Sequence, residues 1–103
     1  REGTTDILKR EIYHMDNLGA DFEIVSKVER DLLKINNGIR VSNIQGGFFK
    51  KLGIEEGFII TGINGRPVND PEELEKILQT IRGRVKIEGV NKKGVRGYYS
   101  YYF

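Results

Sequence analysis

The sequence contains no cysteine and no tryptophan, and only two of its 103 residues are proline. The lack of cysteine excludes disulfides, thiolate metal ligands and cysteine-based catalysis, although it does not identify a compartment. No apolar run approaches the ~20 residues that a membrane-spanning helix needs. Seventeen basic residues nearly balance fifteen acidic ones, for a net charge of +2. We therefore expect neither a nucleic-acid partner nor membrane insertion.

The length of the chain fits one domain, which can form a core without disulfides. Thirteen glycines occur without any low-complexity stretch, and this pattern indicates tight turns within an ordered fold. The chain begins at Arg1 and carries no signal-peptide pattern. We therefore expect it to be a segment of a longer protein.

Three helices are predicted from start signals, end signals and apolar spacing. Ser26 and Glu29 form a capping box ahead of a helix that ends at residues 36–38. A short helix over residues 48–52 follows a glycine pair and stops at Gly53. Asn69 or Asp70 caps the third helix, which has a proline in its first turn. Helical spacing of apolar residues supports the first and third helices, at Val28, Leu32, Leu33 and Ile35, and at Leu74, Ile77, Leu78 and Ile81.

Strands are predicted between these helices. Residues 21–25 and 39–44 are strand candidates, and the nearly continuous apolar run 58–63 indicates a buried strand. Asn64-Gly65 is a tight-turn signal. A final hairpin joins residues 85–90 to residues 95–103, and residues 4–12 are β-tolerant. The order of elements predicts a small α+β domain.

Four stretches of sequence together resemble a known signature. Residues 38–41 read GIRV, residues 53–57 GIEEG, residues 59–60 II and residues 63–68 INGRPV. They resemble the PDZ domain of bacterial HtrA/Deg-type serine proteases, over residues 17–103. The resemblance implies a partly open β-barrel or sandwich with two to three helices, in the circularly permuted bacterial topology. In that topology the carboxylate-binding loop comes first and the strand that closes the barrel comes last.

The C-terminal residues indicate which domain of the family the chain resembles. The hairpin at residues 91–94 and the aromatic residues 98–103 are similar to the final PDZ domain of such proteases from the Bacteroidetes. Residues 17–103 would then be the PDZ domain. Residues 1–16 would be a linker and a remnant of a preceding domain, whose last strand is residues 4–12. Three features depart from the family pattern: Phe58 replaces an aspartate, Phe48-Phe49 replaces Pro-Ala, and Ala20 is a small residue at the last position of the loop.

The resemblance implies a peptide-binding groove. A PDZ groove adds a peptide to a strand edge, and a nest of backbone N–H groups holds the terminal carboxylate. An apolar last side chain enters a pocket between that strand and a helix. The implied peptide-binding residues are Leu18, Gly19 and Ala20 in the nest, Asp21, Phe22, Glu23 and Ile24 in the receiving strand, and Leu74 and Leu78 in the pocket. Ala20 is smaller than the residue usual in the family.

Catalysis and metal binding have weaker sequence support. His14 is the only histidine, and no metal-ligand spacing accompanies it. Ser26, Ser42 or Ser100 could complete a triad with it, but no nucleophile context such as Gly-x-Ser-x-Gly is present. Ser26 is better explained as a helix cap. We expect no catalytic site, metal or cofactor in this chain.

The resemblance also implies a parent protein, its location and the role of this domain within it. The parent would be a periplasmic, trypsin-like serine endopeptidase. Within it, this domain would capture C-terminal or exposed hydrophobic segments of damaged proteins for quality control. Its partners would be peptides or unfolded segments, and other domains or protomers of the parent. The alternatives are an assembly or regulatory domain with a degenerate groove, a PDZ domain of another envelope protein, and, least favoured, an independent enzyme.

Overall fold

The fold is built on one antiparallel sheet. The computed structural model describes residues 12–15 and 18–102. Among these residues the sheet has seven strands: β1 (Ile12–Met15), β2 (Ala20–Ile24), β3 (Ile39–Ile44), β4 (Ile59–Ile63), β5 (Arg66–Pro67), β6 (Arg84–Val90) and β7 (Arg96–Tyr102). Their order in the sheet is β1-β2-β3-β4-β6-β7, and β5 pairs with β4. The helices are α1 (Lys27–Leu33), α2 (Gly47–Leu52) and α3 (Pro71–Thr80). The predicted α+β class is confirmed.

The sheet is open, and the expectation of a last strand that closes a barrel is wrong. β7 pairs with β6, while β1 pairs with β2 at the other end of the sheet. Within residues 12–15 and 18–102, no ladder joins β7 to β1. Among the described residues, β1 and β7 are the outer strands of the sheet. The predicted strand over residues 4–12 lies outside the described residues, except for Ile12, and so does Phe103.

Helix α1 begins where the capping box predicted, but its apolar stripe is not buried. The Ser26 hydroxyl accepts a hydrogen bond from the Glu29 N–H at 3.2 Å. Val28 and Leu32 are 69% and 76% exposed, and no residue of the helix is buried. The helix ends at Leu33, before the predicted Asn-Asn-Gly, because Lys34 adopts the left-handed conformation with φ 60°. The spacing predicted the helix correctly, but it did not predict which side faces the core.

Helices α2 and α3 lie close to their predicted positions. α2 begins one residue earlier than predicted and ends at Gly53, whose φ of 80° suits glycine. The Asp70 carboxylate caps α3 by accepting from the Glu73 N–H at 2.8 Å. Pro71 occupies the first turn of α3, where a missing N–H costs no hydrogen bond. Leu74 and Leu78 are buried, while Ile77 and Ile81 pack partly buried against the core.

Phe48, Phe49 and Phe58 lie against the core. Phe49 is fully buried and contacts Phe22 and Phe48 edge-on, with ring centroids 5.4 Å apart in each pair. Phe48 contacts Tyr101 in the same way. Buried Phe58 packs against another tyrosine of β7 at 5.1 Å. Such edge-to-face pairs add about 0.5–1.5 kcal/mol beyond their area burial. The Phe48–Tyr101 contact therefore joins α2 to β7.

The Asn64-Gly65 turn is confirmed and gives a direct test of the hairpin. Asn64 has φ 52° and Gly65 has φ 83°, the pattern of a two-residue hairpin turn between β4 and β5. Gly65→Val should reduce the free energy of unfolding by about 1–3 kcal/mol, because a β-branched residue is strained at positive φ. Urea denaturation measures the change. Gly97→Val is the control, since no atom lies within 4 Å of its Cβ position and its φ is not positive. Equal losses for both variants would contradict the turn.

Candidate functional site

Strand β2 carries most of the predicted peptide-binding residues, and both of its edges are bonded. One edge pairs with β3, from Ala20 opposite Ile44 to Ile24 opposite Ile39. The other edge pairs with β1, with Ile12 opposite Glu23 and Met15 opposite Ala20. Strand addition needs an unbonded edge. In this structure residues of the same chain therefore fill the edge of β2 that an incoming peptide would use.

The Leu18-Gly19 loop binds a main-chain carbonyl. The Met15 oxygen accepts hydrogen bonds from the N–H groups of Leu18 and Gly19, each at 3.0 Å. Successive N–H groups directed at one oxygen are the arrangement expected of a carboxylate-binding nest. Gly19 has φ 70°, and a Cβ at this position would lie 2.3 Å from the Gly46 oxygen. Only glycine fits there without movement of the backbone.

The loop rests on the start of α2. The Gly19 oxygen accepts from the Gln45 N–H at 2.8 Å and from the Gly46 N–H at 3.2 Å. The segment that would receive a peptide terminus is thus fixed by a second backbone segment, 26 or more positions away in the sequence. Gln45 and Gly46 have this supporting role, although the sequence marked Gly46 only as part of a turn.

The predicted residues of β2 are mostly buried. Ala20 and Phe22 belong to the core. Asp21 and Glu23 are also buried, and each has a partner of opposite charge or a hydrogen-bond donor: His14 for Asp21 and Arg40 for Glu23. Ile24 is exposed. Burial of two carboxylates on one strand is unusual, because each needs a donor to offset the lost hydration.

The predicted pocket residues of α3 are core residues in this structure. Leu74 is fully buried, Leu78 is 7% exposed, and α3 packs against β2. A Leu78→Glu variant would therefore place a charge in the core and would destabilise the fold as well as the groove. Ile77 of α3 and Ile81, the residue that follows α3, are partly buried and pack against the core.

A groove lies away from β2. It has a volume of about 660 Å³ and is formed mainly by the loop at residues 34–37 and by strands β4 to β7. Gly62, Gly89 and Gly97 lie along it, and Lys34 and Arg96 are among its charged residues. Nothing in the sequence pattern pointed to this groove.

His14 is paired with a carboxylate rather than with a serine. Its Nδ1 lies 2.8 Å from Asp21 Oδ1, and the Ser26 hydroxyl is engaged as the α1 cap. Within residues 12–15 and 18–102, no group of three or more His, Cys, Asp or Glu residues could hold a metal ion. None of the described helices has the length and hydropathy needed to cross a membrane.

Sequence reasoning missed the residues that occupy the β2 edge. His14, Met15 and Asn43 all contact the predicted binding residues Leu18 to Asp21. The signal that could have revealed β1 is the run Ile12–Met15 followed by Asp-Asn-Leu-Gly, which is a hairpin pattern. The assignment of residues 1–16 to a preceding domain stays a prediction, although residues 12–15 of that segment belong to this sheet.

Comparisons with protein-family models, with curated proteins and with solved structures gave no match to this chain.

Proposed function

We propose that this chain is a PDZ-like peptide-binding module that takes up extended segments by strand addition to β2. One observation carries the proposal. β2 holds an antiparallel strand whose last main-chain carbonyl is bound by the N–H groups of Leu18 and Gly19. An incoming peptide that runs in the same direction would bring its terminal carboxylate to the same two donors. The sequence signature at residues 38–68 supports the same proposal independently.

The proposed parent protein and its compartment rest on that signature alone. Under this proposal the parent is an HtrA-like serine protease of the periplasm. The module would bind exposed termini of damaged proteins or contact neighbouring domains of the protease. Detection of a trypsin-like domain with a Gly-Asn-Ser-Gly or Gly-Asp-Ser-Gly nucleophile context upstream in the parent gene would support it. If the parent has no such domain, the module would instead be assigned to another class of envelope protein.

A second candidate is an assembly or regulatory domain that binds no free peptide. The pairing of β1 with β2 favours it, because a filled edge offers no main-chain groups to a ligand. The two candidates differ in one measurable property. The first requires that a peptide can replace β1, and the second requires that β1 stays in place.

The test is a titration of the isotope-labelled chain with free-acid and amidated peptides that end in an apolar residue. We expect free acids to shift the amide signals of residues 18–24 with dissociation constants in the micromolar to millimolar range. This range corresponds to a binding free energy of roughly −4 to −8 kcal/mol. Amidated peptides should bind more weakly, because the two N–H donors then meet a neutral group in place of an anion. If no free acid shifts these signals at millimolar concentration, the assembly candidate replaces the binding module.

A further inference from the structure

Asp21 is a buried carboxylate with few donors of its own. It is 9% exposed. Its Oδ1 lies 2.8 Å from His14 Nδ1, and the Asn43 amide reaches its Oδ2 at the long distance of 3.4 Å. The residues that the structure describes offer Asp21 no other side-chain hydrogen bond. A carboxylate with this little access to water is costly to leave without a strong donor.

The strong donor comes from β1 and not from the rest of the fold. His14 lies directly opposite Asp21 in the β1–β2 ladder, and its side chain is 71% exposed. If β1 leaves the edge of β2, Asp21 keeps only the long contact from Asn43. Any segment that replaces β1 must therefore supply a donor at the position of His14, or else leave a buried carboxylate poorly solvated.

The next residue of β1 shows what the loop accepts. Met15 packs partly buried against the core cluster, and its carbonyl is the one held by the Leu18 and Gly19 N–H groups. In the direction from Ile12 to the Leu18-Gly19 loop, β1 therefore has a hydrogen-bond donor side chain followed by an apolar side chain. His14 thus makes a polar contact with β2, and Met15 packs against the core.

We propose that Asp21 determines the specificity of the β2 edge. It selects extended peptides that carry a cationic or N–H-donor side chain one position before an apolar C-terminal residue. β1 carries the same pattern and acts as a resident self-ligand. This inference rests on the function proposed above and adds the class of peptide that the edge takes.

The resident strand lowers the observed affinity of every peptide by the same factor, since binding requires the fraction of molecules in which β1 has left. Ratios between peptides are free of this factor. A specificity test should therefore compare peptides with one another on the same protein.

The test uses free-acid peptides with the sequence of residues 10–15, in which the position of His14 carries lysine, alanine or glutamate. Affinities for the full chain are measured by NMR titration. We expect the lysine peptide to bind at least about tenfold more tightly than the glutamate peptide, because a hydrogen bond to a charged group is gained in one and a like charge is brought close in the other. Asp21→Asn should reduce that ratio several-fold, and Asp21→Lys should reverse it.

Asp31→Asn is the matched control. It also removes one carboxylate, but Asp31 lies on α1, where it pairs with Lys27 and not with β1. The lysine-to-glutamate ratio should be unchanged in this variant. Equal affinity of the three peptides for the wild-type chain, or an unchanged ratio in Asp21→Asn, would overturn the inference while the proposed function stands. Failure of all three peptides to bind at millimolar concentration would overturn both.

Discussion

A disulfide that fixes β1 to β2 is expected to abolish peptide binding in the oxidised protein and to restore it on reduction. Ile12→Cys together with Glu23→Cys places the two thiols on residues that are direct partners in the ladder. Antiparallel partners have Cα atoms about 4.5–5.5 Å apart, which lies within the range that a disulfide spans. The native chain has no cysteine, so only this bridge can form within one molecule.

The expected change is large because a covalent link removes the state in which the edge of β2 is open. Titration with a free-acid peptide should show loss of binding in the oxidised form, at least about a hundredfold, if the open fraction falls as far. Ile12→Cys alone, which cannot form the bridge, should bind equally under both conditions. Equal binding by the oxidised and reduced double variant would show that peptides do not replace β1.

Gly19→Ala is expected to be among the most damaging single substitutions. The added Cβ would lie 2.3 Å from the Gly46 oxygen, at a residue whose φ of 70° already disfavours a side chain. The strain alone costs about 1–3 kcal/mol, and the backbone must also move to relieve the contact. We expect a total loss of about 2–4 kcal/mol in the free energy of unfolding, measured by urea denaturation.

Gly53→Ala separates the two causes. Gly53 has a similar φ of 80°, but no atom lies within 4 Å of its Cβ position. The loss in free energy of unfolding in Gly53→Ala should therefore measure the backbone strain alone, without a steric clash. In Gly19→Ala the amide signals of residues 18–20 should also shift, because the N–H donors for the Met15 carbonyl are displaced. Losses of equal size in the two variants would contradict the close packing of the loop on Gly46.

Local chemistry explains which elements could be predicted from the sequence. The Ser26 and Asp70 caps, the Asn64-Gly65 turn and the end of α2 at Gly53 each depend on residues within four positions of one another. Propensities and capping rules act over that range, so they can be read without the fold. The strand boundaries of β3 were predicted for the same reason, since glycines and turns flank its apolar alternation.

The missed features depend on residues that are distant in the sequence or on neighbours that no local rule specifies. Asp21 meets Asn43 across 22 positions, and Phe48 meets Tyr101 across more than half the chain. The stripe on α1 has helical spacing, yet spacing does not state whether a sheet face is available to cover it. Lys34 takes a left-handed conformation that is usual for glycine, so the end of α1 was placed too late.

The short connection between β1 and β2 has a consequence for how the module would respond to its surroundings. Only four residues separate Met15 from Ala20, so the tethered strand is present at its own edge at an effective concentration on the order of millimolar. A single dilute peptide competes poorly against such a neighbour. Under the proposed function, chain ends held close together would compete better than a dilute peptide, because their local concentration is higher. Binding would then depend on the local concentration of exposed termini more than on the affinity of any one of them.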